Sequence, residues 1–413
     1  MLRLQGTLPF VRQEWRFLLF GLLLTFWSGP GQTYVISVLG GHIRADFDLS
    51  NGEYGTIYTV ATLVCAAILW KAGPLVDRLP LKSFVLKVGL LMVAAMMSFG
   101  FVQGPITLFL GIIAVRFMGQ GMMTHIALTS MARRYEAERG RAVAIAALGF
   151  PLGEALFPPL IVLALGFVDW RLIWPAMAVM AAVTLLPAIP LLIRHTSHQD
   201  GAGAAELRAA DEDAKHWTRA EMLRDKKFYF LVPTAMTPAA IITGLFFHQV
   251  YFIGLKGWNF ELWTLSFSVF AAAALIGGVA SGFLVDLFRA KRLFPFILLP
   301  LCIGMLVFAY AESQIFTVLI MFFLGFGSGA ANPVLSSLWP ELYGTRHLGA
   351  IRSVVTVVMV FGSALGPVFM GLSLDAGASL ELIAIVSVLL AFMAASFAKI
   401  ALFCDKKQSR HSR

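Results

Sequence analysis

The sequence predicts an all-α membrane protein with twelve transmembrane helices in two pseudo-symmetric six-helix bundles, and three observations carry that prediction. Of 413 residues, 59% are hydrophobic and 13% charged, with a mean hydropathy of +0.80, whereas soluble chains carry about a quarter charged residues. Apolar runs of about 20 residues, the length that crosses a bilayer, recur six times on each side of a polar centre. An internal repeat links the halves. Gly73-Pro74-Leu75-Val76-Asp77-Arg78-Leu79-Pro80-Leu81-Lys82 and Gly282-Phe283-Leu284-Val285-Asp286-Leu287-Phe288-Arg289-Ala290-Lys291 each start on glycine and carry an aspartate four residues on. Both close the second apolar run of their half.

In chain order, Arg3, Arg12 and Arg16 precede an apolar run from Phe17. That run is too long for the core of a signal peptide and lacks a small-residue cleavage site, so it reads as a retained first span. Spans are expected near 17–41, 53–72, 83–103, 106–132, 142–166 and 172–193, then near 228–254, 262–285, 293–312, 315–338, 350–373 and 379–402. The domain reading is a first bundle over 1–193, a linker over 194–227, and a second bundle with a basic tail over 228–413. In the linker, Thr218-Arg219-Ala220-Glu221 has the spacing of a capping box opening a short helix.

Lysine and arginine fall almost entirely on one side of this layout, leaving Arg44, Arg171 and Lys256 on the other. Both termini and the linker are therefore expected on the cytoplasmic side of an inner membrane. The net charge of +9 sits in short interruptions between apolar runs, which suits anionic lipid headgroups and not nucleic acid. Cys65, Cys302 and Cys404 show no paired spacing or ligand cluster, so no disulfide, metal or cofactor is expected. Trp15, Trp70, Trp170, Trp174, Trp258, Trp263 and Trp339 fall near span ends, where an interfacial belt would sit.

The repeat and the six-plus-six layout together resemble the major facilitator superfamily of secondary transporters. In that family the loop after span two reads Gly-x-x-x-Asp-Arg-x-Gly-Arg-Arg/Lys; Gly73, Asp77, Arg78 and Lys82 match, as do Gly282, Asp286 and Lys291 in the second copy. The resemblance implies alternating access, with Gly73, Asp77, Arg78, Gly282 and Asp286 as gating residues. Physically, the glycine lets a neighbouring helix approach, and the aspartate can face that helix's positive N-terminus. For Arg78 and Lys82 the competing reading is service to the positive-inside rule alone.

An ionisable side chain at mid-span costs at least about 2.5–3.5 kcal/mol on insertion scales and is a functional hypothesis by default. Arg116 in span four and Glu154 in span five lie at similar depth, where they can pair. Arg116 opens Arg-Phe-Met-Gly-Gln-Gly, similar to the family's fourth-span signature, which implies a part in proton or substrate coupling, and Gln120 lies one turn on along the same face. Burial favours a neutral Glu154 and a nearby Arg116 favours a charged one. The expectation is that Arg116 holds an anionic group of the substrate and Glu154 exchanges a proton; the alternative is a permanent structural ion pair. His125, nine residues beyond Arg116, points the other way and reads as structural.

The resemblance also implies that spans one, four, seven and ten line a central cavity. On them lie Gln32 and Tyr34, Arg116 and Gln120, His248 and Gln249, and Asn332, which together form the expected substrate-binding set. His248 reads equally as an interfacial residue. The segments Phe246–Val250 and Trp339–Arg352 are similar to the monocarboxylate and oxalate/formate branch, which implies a small carboxylate-like substrate, moved as a monomer with protons or another ion. The alternative is proton-linked efflux of hydrophobic or cationic drugs. Enzymatic chemistry is not expected: there is no His-rich cluster, nucleophile elbow or phosphate-binding glycine loop.

Overall fold

The computed structural model describes residues 7–135, 138–193, 217–344 and 346–403. Every regular element among them is helical, and eleven helical stretches are long and apolar enough to cross a membrane. The expected first span completes the twelve, but it is broken. Helix α1 (Thr7–Trp27) starts ten residues before the expected Phe17 and stops at a 3-10 turn over Gly29–Gly31, after which the chain continues as α2 (Thr33–Val38) and α3 (Gly40–Phe47). Pro30 removes a backbone donor between two glycines, so the α-helical ladder cannot pass.

The chain forms two compact units, Met1–Phe47 with Ala61–Glu212, and Asp48–Val60 with Asp213–Arg413. Helix α4 (Asn51–Ala72) is thus shared, its first ten residues belonging to the second unit. The expected linker lies largely in 194–216, outside the described residues. Beyond it the capping box is made as expected. The Thr218 hydroxyl accepts from Glu221 N at 3.3 Å, Glu221 Oε2 accepts from Thr218 N at 2.7 Å, and α12 (Arg219–Arg224) follows.

In the first unit α5 (Leu75–Arg78) carries the repeat loop, and α6 (Leu81–Phe99) packs on α11 (Trp170–Leu192). Phe99 and Trp174 meet there with ring centroids 4.1 Å apart. The fourth span runs α7 (Pro105–Arg116), a π-helical segment (Phe117–Met123) and α8 (Thr124–Arg134). The fifth runs α9 (Arg139–Ala147) into α10 (Gly149–Leu165). Thr25 on α1 donates to the Ala146 carbonyl at 2.5 Å, and a Cβ at Gly149 would lie 2.5 Å from Phe26 N, so α10 rides directly on the α1 backbone.

The second unit holds α13 (Lys226–Phe247), α14 (Gln249–Leu255), α15 (Phe260–Leu265), α16 (Phe267–Phe288), α17 (Ala290–Leu293), α18 (Leu299–Tyr310), α19 (Thr317–Tyr343), α20 (Leu348–Asp375) and α21 (Leu380–Phe403). Its main seams are α16 on α19 and α13 on α20. The start of α4 docks on α20. Asp375 accepts from Asn51 N at 3.1 Å and Gly52 N at 2.7 Å, Thr59 donates to the Ala364 carbonyl at 2.5 Å, and Tyr54 stacks on Phe247 at 4.6 Å. The Asp375 carboxylate thus caps a helix N-terminus from another helix. Asp375→Ala is expected to cost about 1–2 kcal/mol, seen as a lower thermal midpoint of the purified protein, with Asp375→Asn recovering part of it.

The tryptophan belt is mostly not a belt. Trp15 and Trp70 are exposed, but Trp174, Trp263 and Trp339 are fully buried, and Trp170 and Trp258 nearly so. Most of these indoles serve the interior. Trp263 Nε1 donates to Gln249 Oε1 at 2.7 Å. Trp170 Nε1 donates to Asp46 Oδ2 at 2.8 Å, and this bond together with Arg171 holds the Asp46 carboxyl below the usual carboxylate range.

Candidate functional site

Two irregularities in the first unit meet face to face. The Gly29–Gly31 turn of the first span sits in the π-helical segment of the fourth. A Cβ at Gly31 would lie 2.8 Å from Gln120 N, with the Val115 carbonyl oxygen closer still, and one at Gly119 would lie 2.9 Å from the Ser28 carbonyl. Only bare backbone fits this socket. Single-turn π segments leave carbonyls out of register and recur at functional sites. Arg116 is the last residue before the segment and is 2% exposed. Its Nη1 donates to the Gly31 carbonyl at 3.4 Å, so the guanidinium lies on the break itself. Gln120 and Gln32 are half-buried beside the same junction, and Gln32 Nε2 donates to Ser28 Oγ at 3.4 Å.

Glu154 lies on α10. It is two residues from Leu152 and from Leu156, hence about 200° around the helix from each. Those leucines, with Leu160 and Leu163, form an exposed apolar stripe suited to lipid. Glu154 is turned away from them and is half-buried. Arg116 and Glu154 each stand eleven residues from the ends Pro105 and Leu165 of their spans, about 16 Å along the helix. Depth is matched as expected, but the ion pairs among the described residues do not include this one. The Glu154 carboxylate has instead the Tyr34 hydroxyl within electrostatic reach. Tyr34, in the first turn of α2, is 6% exposed, and its Oη has no hydrogen-bond partner.

In the second unit His248 and Gln249 are buried, 2% and 0% exposed. His248 Nε2 lies 2.8 Å from the Pro367 carbonyl, and Gln249 is held by Trp263. Both are committed to internal bonds between helices. Asn332 differs. It is exposed on α19, with Ser336 one turn on and also exposed, a polar stripe in the middle of a membrane helix that suits water better than lipid. Arg352 Nη2 reaches from α20 to donate to the Ser336 carbonyl at 3.0 Å. Arg352 is not among the expected site residues. The spacing of Arg352, Thr356 and Ser363, all on one helical face, is the signal that would have found it.

At the repeat loops, Gly73 is buried and its carbonyl lies 3.2 Å from His125 Nε2. His125 is thus structural, as expected, but its partner is the repeat itself. Asp77 falls on α5, and its side chain lies outside the described parts; Arg78 is exposed. In the second copy the expected close approach is not made, since a Cβ at Gly282 would meet nothing within 4 Å, and Asp286 is exposed. The anion that faces a helix N-terminus there is Glu341, which accepts from Ala290 N at 3.2 Å and Lys291 N at 3.3 Å at the start of α17.

Comparison with known proteins bears on the whole chain. The family model described as Major Facilitator Superfamily matches residues 21–367 and 257–413. Monocarboxylate transporter 13 of Bos taurus is 27% identical over 313 residues, covering 73% of this chain and 68% of that protein. The Multidrug resistance protein B homolog of Mycobacterium tuberculosis is 29% identical over 109 residues; the match spans 26% of this chain and only 20% of that protein. Among solved structures, a bacterial homolog to the human lysosomal transporter Spinster, in an inward-facing and occupied conformation, superposes with a TM-score of 0.73 at 16% identity, covering 94% of this chain and 97% of that one. The nucleoside transporter NupG gives 0.69 at 16% identity, over 93% and 99%. With an all-helical fold of membrane-spanning length and a family match across nearly its full extent, this chain belongs to the Major Facilitator Superfamily and is a multi-pass membrane transporter, not an enzyme.

Proposed function

We propose that this protein is a proton-coupled secondary transporter of a small, carboxylate-like organic anion, working as a monomer by alternating access across an inner membrane with both termini cytoplasmic. The observation that carries the reading is the buried Arg116 guanidinium at the π-helical segment. An ionisable side chain inside a membrane span is a functional hypothesis by default, and a planar guanidinium suits a carboxylate bidentately. Gln32 and Gln120 stand beside the arginine in the first unit, and in the second unit by itself Asn332 is exposed on α19. Glu154 carries the proton, because a carboxyl turned from lipid and without an ion pair is stable in the membrane chiefly when neutral. The match to a monocarboxylate transporter over 73% of the chain supports the anion.

The shorter match to a multidrug resistance protein favours a second reading, efflux of hydrophobic cations with Glu154 as their counter-charge. A thermal-shift screen of the purified protein against carboxylates, amino acids, sugars and cationic drugs separates the two, since stabilisation by cations alone would replace the first reading with the second. Reconstituted Glu154→Gln is expected to lose uphill, gradient-driven uptake of the stabilising carboxylate while retaining downhill exchange. Unchanged proton-driven accumulation would remove Glu154 from the coupling step.

A further inference from the structure

The Tyr34 hydroxyl is a buried polar group with no hydrogen-bond partner. Its phenol leans back over the Gly29–Gly31 turn toward α10. A Cβ at Gly29 would lie 2.9 Å from its Oη, and one at Gly153 would lie 2.6 Å from it. Two helices thus keep their backbones bare around a single oxygen. Phe26 and Phe157, stacked at 5.0 Å, and Trp27, edge-on to Phe157 at 5.8 Å, wall the place with aromatic rings. A hydroxyl left unpaired in such surroundings calls for an explanation, and the residue next to Gly153 supplies one: Glu154, close enough to act on the phenol electrostatically.

We propose that Tyr34 is the positioning residue for proton coupling, donating its hydroxyl hydrogen to Glu154 when that carboxylate is charged and releasing it when the carboxyl is neutral. The proposal rests on the reading of Glu154 as the proton site. Its mechanical content comes from what is fixed and what is not. Helix α10 is clamped to α1 at Gly149 and Thr25, so Glu154 cannot follow a moving partner. Tyr34 stands beyond the break, on α2, whose only covalent link to α1 is the 3-10 turn. Making and breaking the bond therefore changes the angle of α2 against α1, at the turn that Arg116 also holds. Proton and anion then act on one hinge. Among the described residues of this unit no other charged group competes. The neighbours α1, α2, α9 and α11 bring to Glu154 no charged side chain at its depth: Arg12, Glu14 and Arg16 lie nine or more residues before Thr25, where α1 meets Ala146, Arg139 and Arg141 open α9, Arg171 opens α11 and α2 carries no charge, and no ion pair joins Arg116 to it.

The test needs no substrate. In purified, reconstituted protein the carboxylic-acid carbonyl stretch that disappears in Glu154→Gln is titrated against pH by infrared difference spectroscopy. A hydrogen bond to the charged form favours it, so removing the donor keeps Glu154 protonated to higher pH. Tyr34→Phe is expected to move the midpoint up by about one pH unit. Gly153→Ala, whose methyl displaces the hydroxyl, should do the same, and the double variant should move it no further. The same midpoint in wild type, Tyr34→Phe and Gly153→Ala overturns the role of Tyr34 and leaves Glu154 as the proton site. Absence of any titrating band lost in Glu154→Gln overturns the reading beneath it. If Tyr34→Phe is not monodisperse, the midpoint of Gly153→Ala, which keeps the tyrosine, decides between the two outcomes.

Discussion

Adding one methyl group at Gly329 is expected to cost about 3 kcal/mol or more and to leave little folded protein. A Cβ there would lie 2.6 Å from the Ala274 carbonyl carbon and 2.7 Å from its Cα, with the oxygen nearer still. One turn away, Gly325 meets Phe270 in the same way, at 2.9 Å from its carbonyl carbon and Cα, and from the other helix Gly277 meets Phe326 at 3.0 Å. These contacts are backbone on backbone, so no rotamer relieves them and the two helices would have to separate along the whole seam. Without a hydrophobic force between helices in lipid, close packing of this kind supplies much of the association. Gly282→Ala on α16, the other helix of the seam, is the control, since its methyl meets open space and an alanine favours the helix by about 0.5–1 kcal/mol. Size-exclusion profiles of both variants in detergent check the pair: Gly329→Ala should run as aggregate and Gly282→Ala as wild type. Normal transport by Gly282→Ala would also remove that glycine from the gating set.

Much of this architecture is legible in the sequence because spans are long and their signal is additive. Twenty apolar residues announce a helix whatever they touch, and the Gly-x-x-x-Asp repeat fixes which loops correspond. Local chemistry at a span end is legible too, as the Thr218–Glu221 box shows, because donor and acceptor lie three residues apart. What depends on a second helix is not. The pairing expected of Arg116 and Glu154 rested on equal depth, and depth says nothing about azimuth: the glutamate turns toward Tyr34 and the arginine toward Gly31. His248 and Gln249 looked like cavity residues from polarity alone, whereas the bonds that absorb them come from Pro367 and Trp263, one distant in sequence and one indistinguishable there from an interfacial anchor. The π-helical segment left no trace beyond Gly119 and Gly121, which fit an ordinary helix interface equally well. Glu341, on a different helix from the second repeat, took the capping place expected of Asp286.

Arg116→Gln is expected to lower carboxylate transport about 100-fold or more, in line with the 2–5 kcal/mol that truncating one partner of a buried charged contact costs. Arg116→Lys keeps the charge but gives up the planar fork, and a loss of about tenfold is expected, one bidentate bond being about 1.4 kcal/mol. The ligand-induced rise in thermal midpoint separates a binding defect from a folding defect. A carboxylate at 100 times its Kd stabilises the wild type by about 2.7 kcal/mol, and in Arg116→Gln this increment should vanish. The midpoint without ligand should change far less, because a buried charge pays a desolvation cost that the neutral amide avoids. The Gly31 carbonyl, 3.4 Å from Nη1, also loses little, since a bond of that length is weak. The opposite pattern, a collapsed unliganded midpoint with the carboxylate increment intact, would make Arg116 a strut for the break in the first span and return the search for the anion contact to Arg352 and the polar stripe of α19.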